Sequence, residues 1–117
     1  MIKSLLLTLL GLFFVLNGIA HFISPKIYEE YAHKRGLFSP RLMVRMSGVL
    51  LIAGGVSLAI GWFTLYGIIG LSLFLVVASF TIHTFWRETD REMRLLEGTH
   101  FAKNMAILVE LVYIAVG

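Results

Sequence analysis

The chain contains no cysteine and is short of charge. Without thiols it can hold no disulfide, zinc–thiolate site, iron–sulfur cluster or thiol relay of its own. Asp, Glu, Lys and Arg make up 15% of its 117 residues, against about 25% in soluble globular chains. Hydrophobic residues make up 58% and the mean hydropathy is +0.86. A soluble domain of this size buries only roughly two-thirds of the surface of its unfolded chain. The apolar excess therefore needs a second solvent, which a bilayer supplies.

The missing charge is also patterned. Ser4 to Pro25 holds no Asp, Glu, Lys or Arg, enough for one helix of about 20 residues. Met46 to Trp86 is equally free of them but about twice the length of one span, so it must turn back once. Gly61-Trp62-Phe63-Thr64 is the place, with Gly61 ending one helix in a left-handed conformation and Thr64 capping the next. A fourth apolar stretch, Phe101 to Gly117, carries Glu110 within it. The expected fold is all-α: a single four transmembrane helix bundle over residues 1–117, with spans near 3–23, 41–61, 64–86 and 100–117.

Two polar connectors remain. In the first, Ser24-Pro25 reads as an N-cap with proline in the first turn, and Gly36 as a stop. Ile27, Tyr28 and Tyr31 suit a short helix lying in the headgroup region, and Ser39-Pro40 opens the second span. In the second, Thr89-Asp90-Arg91-Glu92 has capping-box spacing, and Gly98-Thr99 is expected to break a second short interfacial helix from the last span. Lys3, the apolar run after it and the small pair Gly18 and Ala20 also resemble a signal peptide. The segment reads instead as a retained span, because its polar residues Asn17 and His21 would otherwise serve no purpose.

With four spans, the two connectors face one side. Lys26, Lys34, Arg35, Arg41, Arg45, Arg87, Arg91, Arg94 and Lys103 lie there, against Lys3 alone on the other. The positive-inside rule puts the connectors in the cytoplasm and both termini outside, in the cell membrane. The net charge of +3 then marks a stripe beside anionic headgroups, and no nucleic-acid partner is expected.

Polar residues inside spans are costly and point to function. Asn17 and His21 share a helix face, Arg45 starts the second span, and His83 ends the third beside Thr81, Thr84 and Trp86. Asn104 lies in the first turns of the fourth, with Glu110 about 9 Å deeper. Together they suggest a polar cavity open toward the cytoplasmic leaflet, able to hold a quinone-like headgroup or to relay protons among His21, His83 and Glu110. Read singly, Asn17 and Asn104 could bond across helices, and Arg45 and His21 could snorkel to phosphates. Glu110 needs a proton or a partner. Glu30-x-x-His33 and Glu97-x-x-His100 have the spacing of di-iron carboxylate pairs, but the break expected at Gly98-Thr99 argues against that chemistry, and no metal site is assigned. Axial haem ligation by His21 and His83 rests on a single His pair. Gly55-x-x-x-Ala59 and Ser57-x-x-x-Gly61 mark close helix packing.

Several of these residues fall in a familiar order. Asn17-Gly18-x-x-His21-Phe22-x-x-Pro25, Ser47-Gly48, His83-x-Phe85-Trp86 and Phe101-Ala102-Lys103-Asn104-Met105-Ala106 resemble the DoxX family over nearly the whole chain. The resemblance implies a small four-helix membrane protein. It also implies an association with quinone-linked membrane oxidoreductases, on which founding members are named as subunits, or with redox-defence complexes. Asn17, His21, His83, Lys103 and Asn104 match the family pattern. The family's Glu-x-x-x-Gly start of the second span is missing, since Val49 to Gly54 has no Glu. The resulting expectation is an accessory or quinone-associated subunit, not catalytic alone, with no intrinsic cofactor beyond a quinone. Its partners would be the bilayer and other redox subunits or further copies of itself. A non-catalytic scaffold or assembly factor needs only the small-residue faces and basic connectors. A small proton-coupled transporter would use Glu110, although the Lys/Arg bias argues against a dual-topology dimer.

Overall fold

The structure, a computed structural model, describes residues 2–36 and 39–117, so positions 37 and 38 of the first connector lie outside the described residues. Among the described residues five α-helices follow one another: α1 (Ile2–Ile23), α2 (Pro25–Lys34), α3 (Pro40–Ile60), α4 (Thr64–Thr81) and α5 (Arg91–Val116), with a 3₁₀ turn at Phe85–Arg87. No strand occurs among the described residues. The all-α class is thus as expected, with four segments long and apolar enough to cross a membrane: Ile2–Ile23, Pro40–Ile60, Thr64–Arg87 and Arg91–Val116. Leu16, Leu73 and Val109 within them are 66, 62 and 67% exposed. Side chains of this kind are covered by lipid in a membrane protein, and the chain is a multi-pass one.

Two compact units make up the chain, Met1–Leu71 and Ser72–Gly117. In the first, α1 and α3 pack antiparallel along a seam of glycines. A Cβ placed at Gly18 would lie 2.7 Å from the Gly48 carbonyl oxygen and 3.0 Å from the Ile52 nitrogen. One placed at Gly55 would sit 2.8 Å from the Val15 nitrogen, and Gly11 faces Gly55 and Ala59 in the same way. Lipid offers no hydrophobic drive between helices, so backbone proximity of this kind provides the dispersion contact that joins them. Thr8 adds its hydroxyl to the Ala59 carbonyl at 3.3 Å.

The α3–α4 hairpin closes as the sequence suggests at Gly61, whose φ of 76° makes it a left-handed C-cap donating to the Ser57 carbonyl. The start of α4 differs from expectation. Phe63, at φ 51°, precedes the helix and accepts from the Gly67 N–H, while Thr64 is already helical. The turn is held from α3, because the Ser57 hydroxyl donates to the carbonyls of Trp62 and Phe63. Gly67 packs on Ser57, and Gly54 on Leu71. The first connector holds its short helix, α2, with Pro25 in the first turn and Gly36 beyond its end at φ 73°. An Arg41–Glu29 ion pair of 3.8 Å links α2 to α3.

In the second unit, α4 stops at Thr81. The N–H groups of Ile82 and His83 both donate to the Ala78 carbonyl, and the chain then runs non-helical into the 3₁₀ turn. The expected break at Gly98-Thr99 is absent. Helix α5 begins at Arg91 and runs without interruption through both residues to Val116, so the second connector's helix is the first part of the last span. One glycine costs a helix only about 1 kcal/mol, and the Thr99 hydroxyl folds back onto the Leu95 carbonyl at 2.8 Å. Asp90, rather than Thr89, caps the helix through the Met93 N–H at 3.3 Å. The Arg94 guanidinium donates to the Glu88 and Thr89 carbonyls, pinning the connector to the first turn.

Candidate functional site

The polar residues singled out in the sequence fall into two groups, one in each unit. In the first unit, Asn17 and His21 share the α1 face expected of their spacing. The Asn17 side chain donates to the carbonyl of Phe13 on its own helix at 2.8 Å, which satisfies its amide locally. The His21 Nδ1 lies 2.7 Å from the Asn17 carbonyl oxygen. A carbonyl can only accept, so Nδ1 carries a proton and Nε2 is the nitrogen left to act. Tyr28 of α2 stacks on the imidazole with ring centroids 4.0 Å apart and planes inclined by 20°. This aromatic contact was missed in the sequence, where Tyr28 stood only as a headgroup anchor. Arg45 on α3 is exposed.

The second unit holds the denser cluster. His83 projects from the non-helical connector, and its Nδ1 stands 3.6 Å from Oε2 of Glu97. Glu97 is fully buried, the His83 side chain is 19% exposed, and the His100 ring stacks on His83 with centroids 5.0 Å apart. Continuity of α5 is what makes this possible. Residues three apart on one helix point to the same side, so Glu97 and His100 are offered together to His83. Sequence reasoning noticed this Glu-x-x-His pair but dissolved it with the expected break. Among the described residues, no group of three or more His, Asp or Glu is placed to hold a metal ion.

The same unit holds a cluster of four aromatic rings. Phe101 meets Phe80, Phe85 and Trp86 edge to face at 5.2, 5.5 and 5.8 Å. Such pairs are worth about 0.5–1.5 kcal/mol each beyond the area they bury. Trp86 keeps 49% of its surface exposed. Phe85 also borders an open groove of about 730 Å³ along α5, together with Arg94, Leu95, Gly98, Thr99 and Lys103. Asn104 is buried at 6% exposure, one heptad beyond Glu97. Lys103 and Glu110, by contrast, are exposed on other faces of α5.

A family model described as DoxX matches residues 4–84. The matched segment takes in α1 to α4 and His83, whereas Glu97, His100, Lys103 and Asn104 lie beyond it. No curated protein and no solved structure matches the chain.

Proposed function

This chain belongs to the DoxX family and is a multi-pass membrane protein, and on that premise we propose that it serves as an accessory, quinone-associated subunit of a membrane redox assembly. The observation behind this reading is the aromatic cluster of Phe80, Phe85, Trp86 and Phe101 in the same unit as the His83–Glu97 pair and the groove along α5. A quinone headgroup is a flat ring with two carbonyl acceptors on an apolar tail. Phe85 and the half-exposed Trp86 would hold such a ring, while the imidazole of His83 and the ammonium of Lys103 are donors for its oxygens. The chemistry a bound quinone supplies is acceptance and release of electrons together with protons at those oxygens. The residues of this chain would bind and orient the ring and hold a proton near it. The electrons would come from a partner subunit, because the chain has no cysteine and no arranged metal ligands among the described residues.

The basic connectors would place this cluster at the cytoplasmic side, with both termini outside. The apolar side chains of α5, such as Val109 and Val112, would meet lipid, another redox subunit or a second copy. The test is purification in mild detergent followed by mass spectrometry of bound small molecules. Quinone should be retained by the wild type and lost in His83→Ala, with thermal melting confirming that the variant is folded. An empty wild-type protein overturns the proposal, as does full retention in His83→Ala.

A further inference from the structure

Glu97 is a carboxylate with no exposed surface, near the start of a helix long and apolar enough to span the membrane. Ionisable groups in that position are paired, and they mark ion or proton pathways. Its imidazole neighbour is of a particular kind. His83 is not held on a helix, since α4 has ended two residues earlier, and it stands in the connector between Thr81 and the 3₁₀ turn. On one side its Nδ1 is 3.6 Å from the carboxylate, and on the other its ring lies against His100. His100 is only half-buried. Both imidazoles are half-buried and only the carboxylate is fully buried, and contact runs from Glu97 to His83 and from His83 to His100.

We propose that Glu97, His83 and His100 form a proton-exchange site, with Glu97 as the buried acceptor, His83 as the carrier and His100 as the outlet. A proton leaving a solvent hydronium forms an N–H bond on His100 and passes to His83 through a bridging water, because the stacked rings face each other with their π surfaces. His83 then shares it with the Glu97 carboxylate, either as imidazolium beside carboxylate or as neutral imidazole beside carboxylic acid. No electrons are exchanged and the site gains one positive charge. Two imidazolium rings with centroids 5.0 Å apart would repel, so the rings take the proton in turn rather than together. A gap of 3.6 Å is beyond a hydrogen bond, and a rotation of the His83 side chain or one water closes it. Lys103, three residues beyond His100 on α5, is a further cation on this helix. The Arg94 guanidinium is engaged by the Glu88 and Thr89 carbonyls, and the part of α4 in this unit carries no charge.

The ligand of this site is a proton, so the proposal stands whether or not quinone binds. It is tested on the full chain in lipid nanodiscs by infrared difference spectroscopy while the pH is lowered from about 8 to 5, the range in which imidazoles titrate. A carboxylic acid C=O band or an imidazolium signal should grow in the wild type. Glu97→Gln keeps the side-chain volume, and it should remove one carboxyl from the spectrum and shift the nitrogen-15 titration of His83. His100→Ala should leave the number of protons bound by the Glu97–His83 pair unchanged while slowing its protonation after a pH jump at least several-fold. Carbon-13-labelled glutamate in the unaltered protein provides the same carboxyl readout if a variant fails to fold. A His83 titration identical in wild type and Glu97→Gln overturns the proposal, as does a spectrum in which neither the Glu97 carboxyl nor the His83 imidazole changes across the range. Quinone content measured on the same samples separates this outcome from failure of the quinone reading.

Discussion

Two glycines inside helices, Gly18 and Gly98, should respond to alanine with opposite signs. At Gly18 the added Cβ would lie 2.6 Å from Ile52 Cγ1 and 2.7 Å from the Gly48 carbonyl oxygen. Carbon atoms rest best about 3.5–4.0 Å apart, and the obstruction includes α3 backbone, which cannot rotate away. The helices must therefore part locally by most of an ångström, and a gap of about 0.5–1 Å already forfeits a quarter to a half of each contact. Overpacking of this sort costs about 1–3 kcal/mol, against which alanine regains up to about 1 kcal/mol of helix propensity. A net loss of about 1–2 kcal/mol is expected. At Gly98 the nearest atom to the new Cβ is Phe85 Cγ at 3.8 Å, an ordinary contact. Only the propensity gain remains there, and Gly98→Ala should stabilise α5 by up to about 1 kcal/mol. Reversible unfolding in mixed detergent micelles, followed by far-ultraviolet circular dichroism, measures both. Gly18→Ala as stable as wild type would refute the close α1–α3 seam, and a Gly98→Ala loss equal to that of Gly18→Ala would refute the reasoning altogether.

The remaining predictions use the same protein. Because it has no cysteine, single substitutions report topology cleanly: a membrane-impermeant maleimide should label Phe63→Cys in intact cells and Lys34→Cys only after permeabilisation. The reverse pattern would sink the proposed orientation. The Arg41–Glu29 pair, 3.8 Å long with Arg41 74% exposed, should contribute under about 1 kcal/mol and less at high salt. A double-mutant cycle with Glu29→Gln and Arg41→Gln that returns more than this would show that the pair is shielded from solvent.

Much of the chain's organisation was legible because charge and punctuation are written locally. Gly61 stops α3 where the sequence says it should, and Pro25 and Pro40 open α2 and α3. The departures came from contacts that no local pattern records. Phe63 tolerates a positive φ because Ser57, six residues back on another helix, holds its carbonyl. Gly98-Thr99 looked like a break because both residues are poor helix formers in water. Within a long apolar helix, however, the backbone has no better partner than itself, and a modest propensity deficit cannot stop it.

The same misreading decided which carboxylate drew attention. Glu110 stood out because it is isolated in an apolar run, whereas Glu97 was assigned to a connector where charge is unremarkable. With α5 continuous, rotation settles the matter. At about 100° per residue, seven residues return to nearly the same direction and six fall about 120° away. Buried Asn104 is seven residues from Glu97 and seven from buried Leu111, and the three form the inward line of α5. Glu110 is six residues from Asn104 and is exposed, as the angle requires. The sequence did contain this signal, since Asn104 was already read as an inward polar residue and Glu97 lies one heptad before it. What it could not supply is His83, which reaches Glu97 only because α4 ends at Thr81. A burial argument alone therefore finds the carboxylate, and the end of a neighbouring helix is needed to find the group it shares a proton with.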